Sequence, residues 1–234
     1  VEKPFTLQQE HAQELVHLSE KNNVNLMVGH VLLFHPAIKK IKDLIVSGKI
    51  GKLQYIYSNR LNLGQVRKEE NVFWSLAPHD ISIFQFFTNK YPVSIKANGS
   101  TFLQKGICDS TITQLKYPNG VEGHIFVSWL HPFKEHRLVV IGSEAMITFE
   151  DSSAGKLLKL YAKKFNIAQG IPEKVDGPVS LIDYEDKMAL TEELLYFTNH
   201  LNNKIPKVAN GQHALEVMKI LIEASEQLEN NENK

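Results

Sequence analysis

Residues 71–87 read N-V-F-W-S-L-A-P-H-D-I-S-I-F-Q-F-F. Pro78 suits the first turn of a helix, where the N–H that proline lacks would be unpaired in any case. A helix is therefore expected to begin at Pro78, with His79 at its start. Ile81, Ile83, Phe84, Phe86 and Phe87 are dense enough to bury that helix against a core and to hold His79 at the rim. A fixed imidazole is the usual general acid or base near neutral pH. Ser75 stands four residues earlier and shares a face with His79 if the helix starts early.

Outward from this helix the hydrophobic period changes. Residues 53–63 alternate as a strand before it. Residues 93–103, 110–117, 121–130, 136–141 and 145–149 follow as strands, most of them joined by short turns. Pro118-Asn119-Gly120 and Gly142-Ser143-Glu144 are hairpin connectors, because Asn and Gly tolerate positive φ. The run predicts a largely antiparallel sheet. Residues 157–162 add one more strand, whereas Gly170-Ile171-Pro172 and Gly177-Pro178 mark loop. Helices over 187–202 and 211–228 close the chain, and the tail E-N-N-E-N-K is expected to fray.

Toward the N-terminus, Thr6-Leu7-Gln8-Gln9 has the pattern of a capping box. The helix after it carries Ala12, Leu15, Val16 and Leu18 on an apolar stripe and stops near Lys21-Asn22-Asn23. Residues 25–31 are short and apolar, which predicts a buried strand. Pro36 then opens a helix through Ile38, Ile41, Leu44 and Ile45 that ends at Gly48. This passage is the tail of an alternating α/β unit. The chain begins at Val1 and enters a motif at once, so further sequence upstream is expected.

With 234 residues and 43% hydrophobic content, a sizeable core can form. Lys plus Arg and Asp plus Glu both number 26, so no global field favours nucleic acid or an anionic membrane. The single Cys108 excludes an intrachain disulfide framework and suits a buried thiol in a reducing compartment. No apolar run is long enough to span a bilayer, and no signal-peptide pattern opens the chain. The expected location is the cytoplasm.

Two readings stand for each candidate residue. Lys3, within Glu2-Lys3-Pro4, is either an ordinary exposed lysine or part of a site; His79 is either a core histidine or a base. A Ser75–His79 pair invites a hydrolase reading, yet no G-x-S-x-G elbow accompanies it. His131 and His136, like His30 and His35, are five apart and miss a common helical face, so no metal is expected. Trp74 and Trp129 read as core or pocket wall. Arg67-Lys68-Glu69-Glu70 reads as a solvated loop. Arg60, Asn62 and Arg67 lie close enough before His79 to line a polar pocket with it, where arginine suits a carboxylate or phosphate.

Glu2-Lys3-Pro4 before a helix, Val28-Gly29-His30, Phe34-His35-Pro36 and W-S-L-A-P-H-D-I occur in an order that resembles the glucose-fructose oxidoreductase, inositol dehydrogenase and MocA family. The resemblance runs through nearly the whole chain. It implies an α+β fold, a large mostly antiparallel open sheet with helices on one face, preceded by a residual helix-strand of a Rossmann domain. Residues 1–31 would close the dinucleotide-binding domain and 32–234 would form the substrate and oligomerisation domain. The activity implied is NAD(P)-dependent dehydrogenation of a sugar, nucleotide sugar or related polyol.

By the same resemblance, Lys3 and His79 match the catalytic lysine and histidine. Glu2, Lys3 and Pro4 would border the cofactor, NAD or NADP, and Arg60, Asn62, Arg67, Ser75 and His30 would border the substrate. The family often has an aspartate where this chain has Ser75, which can hydrogen-bond but holds no negative charge. Asp80 is adjacent but projects elsewhere on a helix. None of the 13 glycines forms G-x-G, so the pyrophosphate-binding turn is not in this sequence. This chain alone is then expected to be inactive. The alternative is a non-catalytic sugar-binding or assembly module of the same fold. Ile125, Phe126, Val127 and Trp129 place apolar groups on both sides of one strand, which predicts a homo-oligomer through the open sheet face.

Overall fold

The computed structural model of the protein describes residues 1–201 and 205–232. Helix α1 (Gln9–Lys21), a 3-10 turn (Val31–Phe34) and α2 (Pro36–Val46) lead into β1 (Leu53–Leu61), followed by α3 (Val72–Thr88). Seven more strands come next: β2 (Ser94–Ser100), β3 (Ser110–Lys116), β4 (Glu122–Ser128), β5 (Glu135–Gly142), β6 (Met146–Glu150), β7 (Leu158–Ala168) and β8 (Ile171–Leu181). Helices α4 (Ala189–Thr198) and α5 (Gly211–Glu232) complete the chain. The strands form one sheet in the order β2-β3-β4-β1-β5-β6-β7-β8. Only the β1–β4 pair is parallel; the other pairs are antiparallel. The expected α+β architecture is therefore the observed one.

Alternation decides which face is covered. Ile56 pairs with Gly123 and Val140, and Ser58 with Ile125 and Leu138, all on the buried side. Helix α3 packs there against β1, β3 and β4, while α5 covers β2 and braces α3. Gln227 ties α5 to the sheet through hydrogen bonds with the Ala97 N–H (2.9 Å) and the Ile95 carbonyl (3.0 Å). A Cβ at Gly123 would lie 2.7 Å from the Ile56 carbonyl and 2.8 Å from the Phe84 ring, so glycine lets α3 press directly onto the sheet. Gly123→Ala is expected to cost about 1–3 kcal/mol through overpacking, read as a lowered urea midpoint with an unchanged m value.

The helix holding His79 starts earlier than Pro78. Asn71 caps it, its side-chain oxygen accepting from the Trp74 N–H at 3.1 Å, and Pro78 lies inside the helix. The interior proline forfeits the bond to the Trp74 carbonyl. Burial of Val72, Phe73 and Ala77 on the added turn offsets that loss. The capping box is not formed either: Thr6 donates to the Gln8 carbonyl at 2.7 Å, and Gln8 at the N-cap makes no side-chain cap.

Residues 25–31 make one isolated bridge, Met27 with Asn210, rather than a strand in a sheet, because no strand among the described residues lies beside them. Conversely, 171–181 form a full strand where turn residues suggested loop. It is the outermost strand, so Pro172 and Pro178 interrupt only one row of bonds. Gly177 faces a register shift at Tyr161/Lys163, where a Cβ would meet the Ala162 carbonyl at 2.0 Å. Helix α5 continues through residues 229–232, which were expected to fray; residues 233–234 of that tail lie outside the described residues. The helix expected over 187–202 spans Ala189–Thr198, and residue 202 is also outside them. Cys108 is buried and outside any disulfide. No helix among the described residues is long and apolar enough to cross a membrane.

Candidate active site

The first residues run alongside Met27–Gly29. The Gly29 N–H donates to the Val1 carbonyl at 2.7 Å, and a Cβ at Gly29 would sit 3.2 Å from the Glu2 carboxylate. This close approach fixes Glu2 and directs Lys3 toward α3. Lys3 Nζ donates to the Ser75 carbonyl at 3.2 Å. Ser75 lies one helical turn before His79, and the Lys3 charge is felt at the imidazole. His79 is partly exposed, and its Nδ1 is buried without a partner among the described residues. Nε2 is left as the nitrogen available to a ligand.

Electrostatics holds both groups away from their ordinary values. Burial lowers the Lys3 pKa; Glu70 opposes that change, and Arg67 and Arg60 reinforce it. Burial also lowers the His79 pKa well below the usual imidazole value, followed by the charges of Arg60 and Lys3. His79 is consequently a neutral acceptor at neutral pH. A positive donor beside a neutral base can hold a hydroxyl oxygen and remove its proton.

The remaining sequence-selected residues occupy different layers. Arg60 is buried and committed to Asp80 by paired bonds of 2.7 and 3.1 Å, with its third nitrogen 3.4 Å from His136 Nδ1. Behind it is a cavity of about 20 Å³, large enough for about one water, lined in part by Asp80, His136 and Asp151. Asn62 follows β1 with its side-chain oxygen buried and unpartnered, while the more exposed Arg67 pairs with Glu70 at 3.2 Å. His30 is 2% exposed, so it lies in the interior rather than bordering a ligand. Thus Lys3 is bonded to Ser75, and the charges of Lys3 and Arg60 act on His79, while those of Arg67 and Arg60 act on Lys3. A larger groove of about 610 Å³, between Val16, Glu20 and Asn210, contains none of these residues.

Sequence reasoning passed over His136, Asp80 as the Arg60 partner, and Glu70 as a charge near Lys3. Only tertiary pairing reveals them: Arg60 stands opposite His136 across β1 and β5. Among the described residues, no group of three or more His, Cys, Asp or Glu could hold a metal ion.

The buried histidines set a pH dependence. Burial pushes His30 down to about 3 and His136 and His213 to about 4, and lowers His79 as well. Below about pH 6.5 the unfolded chain binds protons that these native histidines refuse. Stability contributed above that pH is then lost at about 1.4 kcal/mol per pH unit for each such group. Glu193, raised to about 6 by burial, opposes the trend between its native and unfolded values. Urea midpoints should therefore fall from pH 7 to pH 5; a flat profile would contradict neutral burial of the histidines.

The structure is an open-sheet α+β domain in which the Lys3 ammonium, bonded to the Ser75 carbonyl, acts through its charge on a neutral His79. The model of the GFO/IDH/MocA C-terminal domain matches residues 38–148, just under half of the chain. The chain is 25% identical over 214 residues to UDP-N-acetylglucosamine 3-dehydrogenase of Acidithiobacillus ferrooxidans, covering 90% of this chain and 64% of that protein. It is 24% identical over 244 residues to D-xylose 1-dehydrogenase [NADP(+)] of Haloarcula marismortui, covering 96% and 65%. The chain thus spans slightly under two thirds of the length of these curated relatives. A solved structure of the Acidithiobacillus enzyme superposes with a TM-score of 0.85 at 21% identity, covering 100% of this chain and 72% of that one, which shows the shared fold.

Proposed function

We propose that the protein is the substrate-binding and proton-transferring part of an NAD(P)-dependent dehydrogenase that oxidises a hydroxyl of a sugar, nucleotide sugar or related polyol. The observation that carries this reading is the meeting of Lys3 with the helical turn before a neutral His79. Residues 1–31 close the cofactor domain in this reading, and 32–234 form the substrate domain. The residues present fit the reacting end of a nicotinamide, because Glu2 is fixed against Gly29 and the Lys3 ammonium reaches the turn of α3 before His79. Glu2, Lys3 and Pro4 would border it; the turn that holds a pyrophosphate is not among these 234 residues.

A bound nicotinamide supplies the hydride acceptor. The protein's own groups manage the proton. His79 Nε2 accepts it from the substrate hydroxyl, and the Lys3 ammonium stabilises the negative charge growing on that oxygen. Ser75 contributes its carbonyl, which orients Lys3. Arg60, neutralised by Asp80, stays beneath His79 as a support, while Asn62 and Arg67 border the substrate on the loop after β1.

The test uses the protein joined to its dinucleotide-binding domain, a panel of sugars and nucleotide sugars, and product analysis. Sugar-dependent reduction of NAD or NADP with formation of the keto or lactone product is expected. Binding of a sugar without any redox product would favour the assembly-module alternative instead.

The uncovered sheet face supports self-association. Tyr57, Ile112 and Phe126 project from it, on strands whose buried residues point the other way. Sedimentation of the same protein is expected to show a homo-oligomer, and Phe126→Glu to shift it toward monomer. A wild-type monomer at high concentration would contradict this.

A further inference from the structure

Two more imidazoles stand behind His79. His30 precedes the 3-10 turn, and both of its ring nitrogens are buried without a partner among the described residues. Its ring meets His213, on the first turn of α5, edge to face with centroids 5.5 Å apart. His213 Nε2 is also buried and unpartnered, yet the residue remains partly open to solvent. On the other side, the 3-10 turn packs against α3, where His79 turns its own unpartnered Nδ1 inward.

Packing alone accounts badly for this arrangement. A buried polar group without a partner costs about 1–3 kcal/mol, and an apolar side chain of similar shape would avoid that cost. Here the unpaired nitrogens sit on neighbouring elements, and the two end residues, His79 and His213, are both partly open to solvent. Such polar interior sites are where ordered water bridges protein groups.

The chemistry also calls for an exit. Lys3, Arg60, His30 and His136 face His79, and none of them is a carboxylate able to hold a proton for it. Asp80, the nearest acid in sequence, is engaged by Arg60. The positive neighbours keep His79 from remaining an imidazolium, so a proton taken from substrate must move on.

We propose that His79, His30 and His213 form a water-bridged proton path from the cleft through the core to the surface at the start of α5. This rests on the dehydrogenase reading. The substrate O–H bond breaks as its proton joins His79 Nε2, and a proton leaves His79 Nδ1 through water to His30. His30 gives up a proton from its other nitrogen toward His213, which releases one to bulk water. One proton enters and one leaves, and the hydride departs separately to the nicotinamide.

The test follows nicotinamide absorbance and a pH-indicator dye together by stopped flow in the holoenzyme. In the wild type the two signals should rise in step. In His30→Phe, proton release should lag, turnover should fall about tenfold or more, and the solvent deuterium isotope effect should grow, with the KM for sugar nearly unchanged. His213→Phe, at a partly exposed position, should move the same readouts and serves if His30→Phe does not fold. Folded variants with wild-type rates, isotope effects and in-step proton release would overturn the path. If the wild type reduces no nicotinamide, the dehydrogenase reading fails separately. Imidazole NMR then still decides the path, with magnetisation transfer between water and the His30 ring expected and its absence overturning the proposal.

Discussion

Replacing His79 with alanine is expected to lower kcat by about 10²–10⁴-fold, the usual contribution of a positioned general base, with a much smaller change in the KM for sugar. Alanine favours a helix interior, so α3 should survive. Lys3 would still hold the substrate oxygen through its ammonium, and the loop after β1 would still border the substrate. What disappears is the neutral acceptor. The pH profile separates this role from a structural one. A base is active above its native pKa, and that of His79 is lowered by burial and by Arg60 and Lys3. Wild-type kcat should therefore hold its plateau to pH values below the ordinary imidazole range. In His79→Ala the residual rate should instead climb with pH, as hydroxide and substrate ionisation replace the lost base. A folded variant retaining the wild-type rate and profile would remove His79 from the chemistry.

The second large effect is on stability. Asp80→Ala is expected to cost about 3–5 kcal/mol, because it strands the buried Arg60 guanidinium without its countercharge. Both side chains are at most 10% exposed and the pair is joined at 2.7 Å, so water cannot take over the carboxylate's role. His79 would also feel an unneutralised arginine, so residual activity should fall even where the protein remains folded. Arg60→Met combined with Asp80→Leu should recover most of the lost stability, since removing both charges removes the desolvation problem. Urea unfolding of the two variants checks this. A loss below about 1 kcal/mol for Asp80→Ala, the range of exposed ion pairs, would contradict the burial of this pair.

Much of the sheet was legible because its signal is local. Strands β3, β4 and β6 alternate, and Gly120 lies between two of them with the positive φ of 78° that its turn requires. The parallel contact of β1 with β4 was not legible, since it depends on where the chain returns after α3, β2 and β3. Strand β8 was hidden by Pro172 and Pro178, which are acceptable only at an edge. Pro78 misled for the converse reason: a cap at Asn71 and a deeply packed first turn outweigh one lost helical bond.

The site divides in the same way. Lys3, Ser75 and His79 were visible as residue types in an order, and the bond that brings Lys3 onto α3 is a product of the fold. Arg60 looked free to bind an anion, but its engagement by Asp80 is a contact between a strand and a helix that no spacing reveals. The line from His30 to His213 spans most of the sequence and has no local signature at all.

The most direct test of the account is single-turnover hydride transfer from sugar to NAD or NADP in the protein with its dinucleotide-binding domain. Wild type, Lys3→Ala, His79→Ala and the double variant would be compared. Each single change is expected to slow transfer by about 10²-fold or more, and the double by much less than the product of the two, because ammonium and imidazole act on one hydroxyl. Transfer at the wild-type rate in both folded single variants would contradict the central claim that Lys3 and His79 together form the reacting site.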